Sequence, residues 1–576
     1  MNAARRAPLL LCLAAGFALA FTPVIIWRLQ TGEWICLDEW FAPFYLRFAA
    51  QAYYSHSAHL TDIVVPGGVT FYPWLIFIPA VWLARAIGAS PFAVYIIWIA
   101  LSAVTLSSGV YLVFRCFLNR PWMAAGCTIL CLSDYGFAVA HPFAAQLKIL
   151  ASALLFHRAD LVDAPWGLIQ HWRVPDPALA LPFVFFQIVA LARAREKPTA
   201  RNLILSGFSF GLLFYIFFYS WTLVLAGLAI ALLLDRDRRK IYLATILIGA
   251  AIGAPQVLYS NHLAHQASAE AMTRFGLITR APRLYQESIP ALSLAALAAV
   301  GLWIWKARRF DLIYLWSLVA GGILLSRSRV LTGVFFHEYH YDWQWAPLRM
   351  ALVLIAAVSI AGSRWRVRRA WTALSWMLVM LYFTGGVYLS VVCVTRMWSG
   401  VEYLQNYLHY RAQRGAEPTG RIMAPGSTIA GDEGFCELAA VAENLRVLGG
   451  EAVPRSMMVD DAQWEARVAL NAFLIGMGRS AFEREARIDA ANWLWEDARR
   501  RAAAIAGFMR IYDEIARDPD RFVEEFDVRY VAVATEAPQI TYLRSRWTPL
   551  QAGPYWRIWE RPEKAASGRA FRAARR

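Results

Sequence analysis

The feature that most constrains this chain is a succession of apolar runs of about 18 residues or more, the length at which a helix crosses a bilayer. Of its 576 residues, 59% are hydrophobic and 17% charged, too little polar surface to wrap a water-soluble body of this size. The composition defines a polytopic α-helical membrane protein. Its net charge of +16 does not imply nucleic acid, because the basic residues sit in short connectors between apolar runs, where membrane topology accounts for them. The seven cysteines are scattered and form no CxxC pair, so neither a zinc site nor a disulfide framework follows.

The run Pro8 to Trp27 begins like a secretory signal but continues long enough to span, so it reads as an uncleaved first helix with Arg5 and Arg6 in the cytoplasm. The connectors Ala192 to Asn202, Asp235 to Lys240, Lys306 to Phe310 and Ser363 to Arg369 are basic and belong on the cytoplasmic side. The turns near Tyr219, at Tyr259 to Ser288 and at Ser326 to Asp342 then face the opposite side. A last span, about Trp371 to Val394, carries the C-terminal region there too, for about 12 to 13 spans in all. One stretch breaks parity. Phe71 to Ile87, Phe92 to Phe114 and Trp122 to Leu132 make three segments between two outer stretches, so either one is re-entrant or Phe137 to Phe156, despite Lys148, crosses as well.

From about Thr395 the apolar runs stop and charges of both signs mix. This predicts two domains, a transmembrane one at 1–394 with outer loops at 29–70, 133–178 and 326–349, and an extracytoplasmic α/β soluble one at 395–576. Helical periodicity marks "AANWLWEDARRRAAAIAGFMRIYDEIARD", and strand patterns mark "VRYVAVAT" and "YWRIWER". Asp432 and Glu433 read as acids in the first turn of an ordinary helix.

Just beyond the first span, "TGEWICLDEWFAPFY" sets Asp38 and Glu39 among Trp34, Trp40, Phe41 and Phe44. A carboxylate at a lipid–water boundary has its pKa raised by burial and can take a proton from a hydroxyl, which makes Asp38 the candidate general base. Glu39 is its partner or a metal ligand. The alternative is that both mark the polar end of a helix. In "LLSRSRVLTGVFFHEYHYDWQWAPLR", Arg327, Arg329, His337, His340 and Arg349 fall on the outer side, where topology does not call for cations. An anionic ligand accounts for them, since an Arg fork binds two oxygens at once. The alternative is that Arg327 and Arg329 anchor an interface. "HEYH" is not the HExxH of a zinc protease, its second His standing one position short.

An acidic pair in the first outer loop, amphipathic sequence rich in Tyr and His after it ("FYLRFAAQAYYSHSAHLTD"), then "VVPGGVTFYPWL", many spans and a terminal soluble domain together resemble the GT-C superfamily of membrane glycosyltransferases, of the aminoarabinose- and mannosyl-transferase kind. The closing "FDVRYVAVATEAPQI…YWRIWERPE" is also similar to the last strands of such enzymes. The resemblance implies a polyprenyl-phosphate sugar donor, a lipid, glycan or protein acceptor, and a multi-pass protein of the bacterial inner or plasma membrane. It makes Arg327, Arg329, His337, His340 and Arg349 the lipid-phosphate-binding set. It also implies a second acidic residue on the next outer stretch, for which Asp176, near His171 and Arg173, is the choice over Asp134, Asp160 and Asp163. Some members need a divalent cation such as Mg or Mn and others do not. Two other classes stay in view: a ligase or polymerase of lipid-linked glycans, for which the 326–349 loop speaks, and a transporter, for which no repeat speaks.

Overall fold

The computed structural model describes residues 3–34, 41–56, 60–68, 70, 72, 74–133, 174, 178–274, 291–328, 339–364, 369–396, 398–414, 422–450, 452–494, 498–536 and 540–562. The chain forms two compact units, one of Met1–Leu60, Phe71–Gln266 and Gly276–Leu404, the other of Thr61–Thr70, Ala267–Phe275 and Gln405–Arg576. The two units divide at 404/405, and two short pieces of the N-terminal part join the C-terminal unit. Their polar side chains find partners there that no local pattern announces.

The first unit is helical. Its elements are α1 (Ala3–Thr31), α2 (Phe41–Ser55), α3 (Ile78–Ala86), α4 (Ala93–Phe117), α5 (Pro121–Leu132), α6 (Leu181–Glu196), α7 (Ala200–Leu212), α8 (Phe218–Leu234) and α9 (Arg239–Gln266). After α10 (Ala269–Arg274), which belongs to the second unit, come α11 (Ala291–Lys306), α12 (Ile313–Leu325), α13 (Tyr339–Arg364), α14 (Arg369–Arg396) and the start of α15 (Trp398–Arg414). Among the described residues, four stretches are long and apolar enough to cross a membrane: Arg6–Thr31, Ala93–Phe117, Arg236–Gln266 and His340–Ala361. Five shorter apolar helices accompany them.

Where these helices touch, glycine sets the distance. Gly207 and Gly211 of α7 face Ile248 and Ile252 of α9, while Gly249 and Gly253 of α9 face Phe210 and Phe214. A Cβ at any of the four would come within 2.2 to 2.6 Å of its neighbour, so the pair is packed by two interlocking small-xxx-small faces. Buried Ser206 and Thr245 hydrogen-bond across the same contact at 3.0 Å. The outward surface of this unit is apolar: among the described residues, the large hydrophobic side chains left exposed belong to it, with Ile422 and Ile488 as the exceptions. Helices that pack through glycine and turn Leu, Ile and Trp outward are built for a surrounding less polar than water.

Three of the basic connectors meet at one end of the bundle. Arg195 at the end of α6 donates through Nη2 to Asp235 Oδ2 (2.8 Å) and the Phe310 carbonyl (2.7 Å), and through Nη1 to the Asp311 carbonyl (2.8 Å). Arg309 reaches from the same end to the Phe117 carbonyl (3.4 Å) and to Ser359 Oγ (3.2 Å), which fixes the ends of α4 and α13 there. The start of α4 lies with α2, where the Tyr53 hydroxyl donates to the Ala89 carbonyl at 2.8 Å.

The run Phe71 to Ile87 does not form one long helix; α3 has 9 residues, about 14 Å at 1.5 Å per residue. Phe137 to Phe156 lies outside the described residues.

In the second unit a five-stranded sheet has the order β2-β1-β3-β5-β4, with β1 (Thr428–Gly431) parallel to β2 (Arg446–Val447) and β3 (Val528–Ala534), and β5 (Trp556–Glu560) antiparallel to β3 and β4 (Thr548–Ala552). The strands expected at "VRYVAVAT" and "YWRIWER" are β3 and β5. Helix α16 (Glu433–Glu443) crosses from β1 to β2. Asp432 is its N-cap, accepting from the Phe435 N–H, so the acids at 432 and 433 do open a helix. Gly431, at φ +132, precedes it because a Cβ would lie 1.9 Å from the Ala532 carbonyl oxygen. Between β2 and β3 lie α17 (Ala452–Arg455), α18 (Asp461–Leu474), α19 (Arg479–Trp493), α20 (Ala498–Arg517) and α21 (Pro519–Glu525), and α22 (Thr541–Arg546) follows β3. Trp464 of α18, fully buried, meets Phe508 of α20 edge to face at 5.0 Å in their shared core.

Candidate functional site

Of the candidate residues, Arg327, His340 and Arg349 are described; Asp38, Glu39, Asp176, Arg329 and His337 lie outside the described residues. Of these, Arg327 and His340 occupy the bundle end opposite Arg195 and Arg309, while Arg349 lies midway along α13. Helix α8 ends near Asp235, α12 begins near Asp311 and α13 passes Ser359 on its way out, so the start of α8, the end of α12 and the start of α13 gather at the far end.

Packing holds that end in register. A Cβ on Gly322 of α12 would meet Trp345 of α13 at 2.3 Å, and one on Gly227 of α8 would meet Leu318 of α12 at 2.5 Å. Between α8 and α13, buried Ser220 donates to Gln344 Oε1 at 3.1 Å, and the Thr222 and Tyr341 hydroxyls pair at 3.0 Å. Within this frame the His340 ring stacks on Tyr219, centroids 4.7 Å apart and planes 25° apart, with Trp343 edge-on at 4.7 Å and Phe217 at 6.0 Å. The imidazole is thus oriented by three aromatic neighbours, a setting in which a ring keeps one presentation toward a ligand. Arg327 follows α12 directly, donating through Nη1 to the Ser326 carbonyl at 2.6 Å.

Arg349 does not join His340. The two are nine positions apart on α13, which at 100° per residue puts them half a turn out of phase and about 13 Å apart along the axis. Its guanidinium lies over Trp345, 5.0 Å from the ring centroid, as a packed cation–π pair.

Two features escaped the sequence reading. Arg47, on the α2 face that also presents Phe44 and Phe48, is buried to 3% exposure; its spacing of three from Phe44 is the signal that places it on the apolar face. Phe48 and Phe44 close on Tyr72 at 4.8 and 5.5 Å, so the helix after the acid pair is seated by aromatic contacts. The partners of His340 on α8 had no signal at all, being more than a hundred residues upstream. Among the described residues no group of three His, Cys, Asp or Glu is placed to hold a metal ion.

By sequence, no protein-family profile and no curated protein matches the chain. Among solved structures the chain is similar to ArnT from Cupriavidus metallidurans, crystallised bound to undecaprenyl phosphate, with 11% identity, 96% of this chain and 98% of that chain covered, and a TM-score of 0.40.

Proposed function

We propose that the protein is a multi-pass membrane glycosyltransferase that moves a sugar from a polyprenyl-phosphate carrier to an acceptor outside the cytoplasm. The observation that carries this reading is the gathering of Arg327 and an aromatically framed His340 at the bundle end opposite the basic connectors. Cations there are not needed for topology, and they match an anionic ligand at a membrane surface.

In the proposed reaction Asp38 accepts the acceptor's hydroxyl proton while that oxygen attacks the anomeric carbon. The bond from that carbon to the carrier's phosphate oxygen breaks, its electron pair leaving with the phosphate, and the configuration inverts. Arg327 and His340, with Arg329 and His337, offset the charge that grows on the phosphate. Glu39 assists Asp38, and Asp176 is the second acid. Arg349, on the other side of its helix, is left out of this set.

The test is transfer of label from radiolabelled polyprenyl-phosphate sugars in membranes carrying wild type, Asp38→Asn or Arg327→Ala at matched protein levels. Transfer by wild type that is lost in both variants is the expected result. Equal transfer by wild type and Asp38→Asn would remove the proposed base, and transfer of a whole lipid-linked glycan rather than one sugar would favour a ligase.

A further inference from the structure

Both N-terminal pieces of the second unit grip the same eight residues, Pro454 to Asp461. From the first piece, Asp62 accepts the N–H groups of Val64 and Val65 on Oδ1, each at 2.8 Å, and its N–H closes the loop onto the Gly68 carbonyl at 3.0 Å. Its other oxygen accepts from Ser456 Oγ at 2.8 Å, both residues being buried. From the second piece, the Ser268 N–H donates to the Met457 carbonyl at 2.9 Å, and Glu270 Oε2 accepts the Asp461 N–H at 3.0 Å. Arg274 supplies the rest. Its Nε donates to the Pro454 carbonyl (3.0 Å), Nη2 to the Val459 carbonyl (2.6 Å) and Nη1 to Asp461 Oδ1 (2.6 Å), with its guanidinium over Trp464 at 5.1 Å. The second oxygen of Asp461 is taken by Arg500 of α20 at 2.8 Å.

A buried guanidinium that spans two carbonyls and a carboxylate fixes the path of the segment it binds, and only the planar fork of Arg reaches all three. The Ser456 hydroxyl that meets Asp62 lies inside that path. Each loop therefore holds the shape that the other binds.

We propose that Pro454–Asp461 is a docking hub that makes the two loops one cooperative unit within the second unit of the chain.

Hydrogen exchange on the full chain in nanodiscs tests the hub. Asp62→Ala and Arg274→Gln are each expected to raise exchange roughly tenfold or more in both 61–70 and 267–275, since a buried bond to a charged group is lost in either case. Ser456→Ala is the milder variant should either fail to fold, with the same pattern expected at a smaller amplitude. Exchange raised only in the mutated loop would overturn the hub. Asp62→Asn, which keeps an acceptor for Val64 and Val65 and a polar partner for Ser456, should restore most of the protection in both loops.

Discussion

The side-chain amide of Gln413 pairs with Trp556 as a neighbouring strand would: Nε2 donates to the Trp556 carbonyl at 3.1 Å, and the Trp556 N–H donates to Oε1 at 2.9 Å. The amide thereby joins α15 to the first residue of β5, and both residues are buried. Gln413→Glu puts a carboxylate oxygen against the carbonyl that Nε2 now serves. It is expected to destabilise the second unit by about 2 to 3 kcal/mol, with Gln413→Met costing less because it leaves no buried charge. Unfolding of the C-terminal unit followed by limited proteolysis checks the order.

His340 separates shape from chemistry. His340→Phe retains a ring against Tyr219 and Trp343, so thermal unfolding should stay near that of wild type, whereas His340→Ala leaves a gap and lowers it. If the imidazole meets the carrier's phosphate, both variants lose transfer by roughly a hundredfold. Retained transfer in His340→Phe would leave the ring a packing role only.

The Glu465 carboxyl is packed against Gly507 of α20, and burial, followed by the neighbouring Asp461, pushes its pKa from 4.5 up to about 7. Arg510 works against the rise, while Glu270 and Asp460 add to it. A carboxyl that is harder to ionise when folded binds more protons in the native state between pH 4.5 and 7, so stability is fully present below that window and falls as pH rises through it. The second unit should unfold at a higher temperature at pH 5.5 than at pH 8. Glu465→Gln should flatten that difference, and an unchanged slope in the variant would assign it to other groups.

Chelation separates the two roles given to Glu39. Loss of transfer in EDTA that Mg or Mn restores, with Glu39→Gln raising the metal concentration needed, assigns it as a ligand. Full transfer in EDTA, with Glu39→Gln reducing the rate at every metal concentration, assigns it as the partner of Asp38.

Much of the helical unit was legible because burial in lipid and burial in a bundle both demand long apolar runs, and basic connectors mark their ends; Arg195 gathers three of those connectors. The run at Phe71 to Ile87 was less legible because apolar composition alone does not say how much of a stretch is helix; among its described residues the helix is Ile78–Ala86. In the C-terminal unit the short apolar, β-branched run in "VRYVAVAT" and the acids at 432 and 433 were sufficient signals. The site was legible in part. His340 and Arg349 share a loop in the sequence, yet helical phase divides them, and the aromatic frame of His340 comes from α8. The attachments of Asp62 and Arg274 have no periodicity to betray them, since each is a polar contact between residues 180 or more positions apart.

The split composition of the second unit has a consequence for biosynthesis. Asp62 and its partner Ser456 are 394 positions apart, so at ~5 to 20 residues per second the ribosome needs about 20 to 80 s to deliver one after the other. Throughout that interval the early loop has emerged without the residues that bury its carboxylate. The chain must keep that loop accessible while later segments are synthesised, and a ribosome that stalls before Pro454 leaves a nascent protein whose first loop cannot be completed.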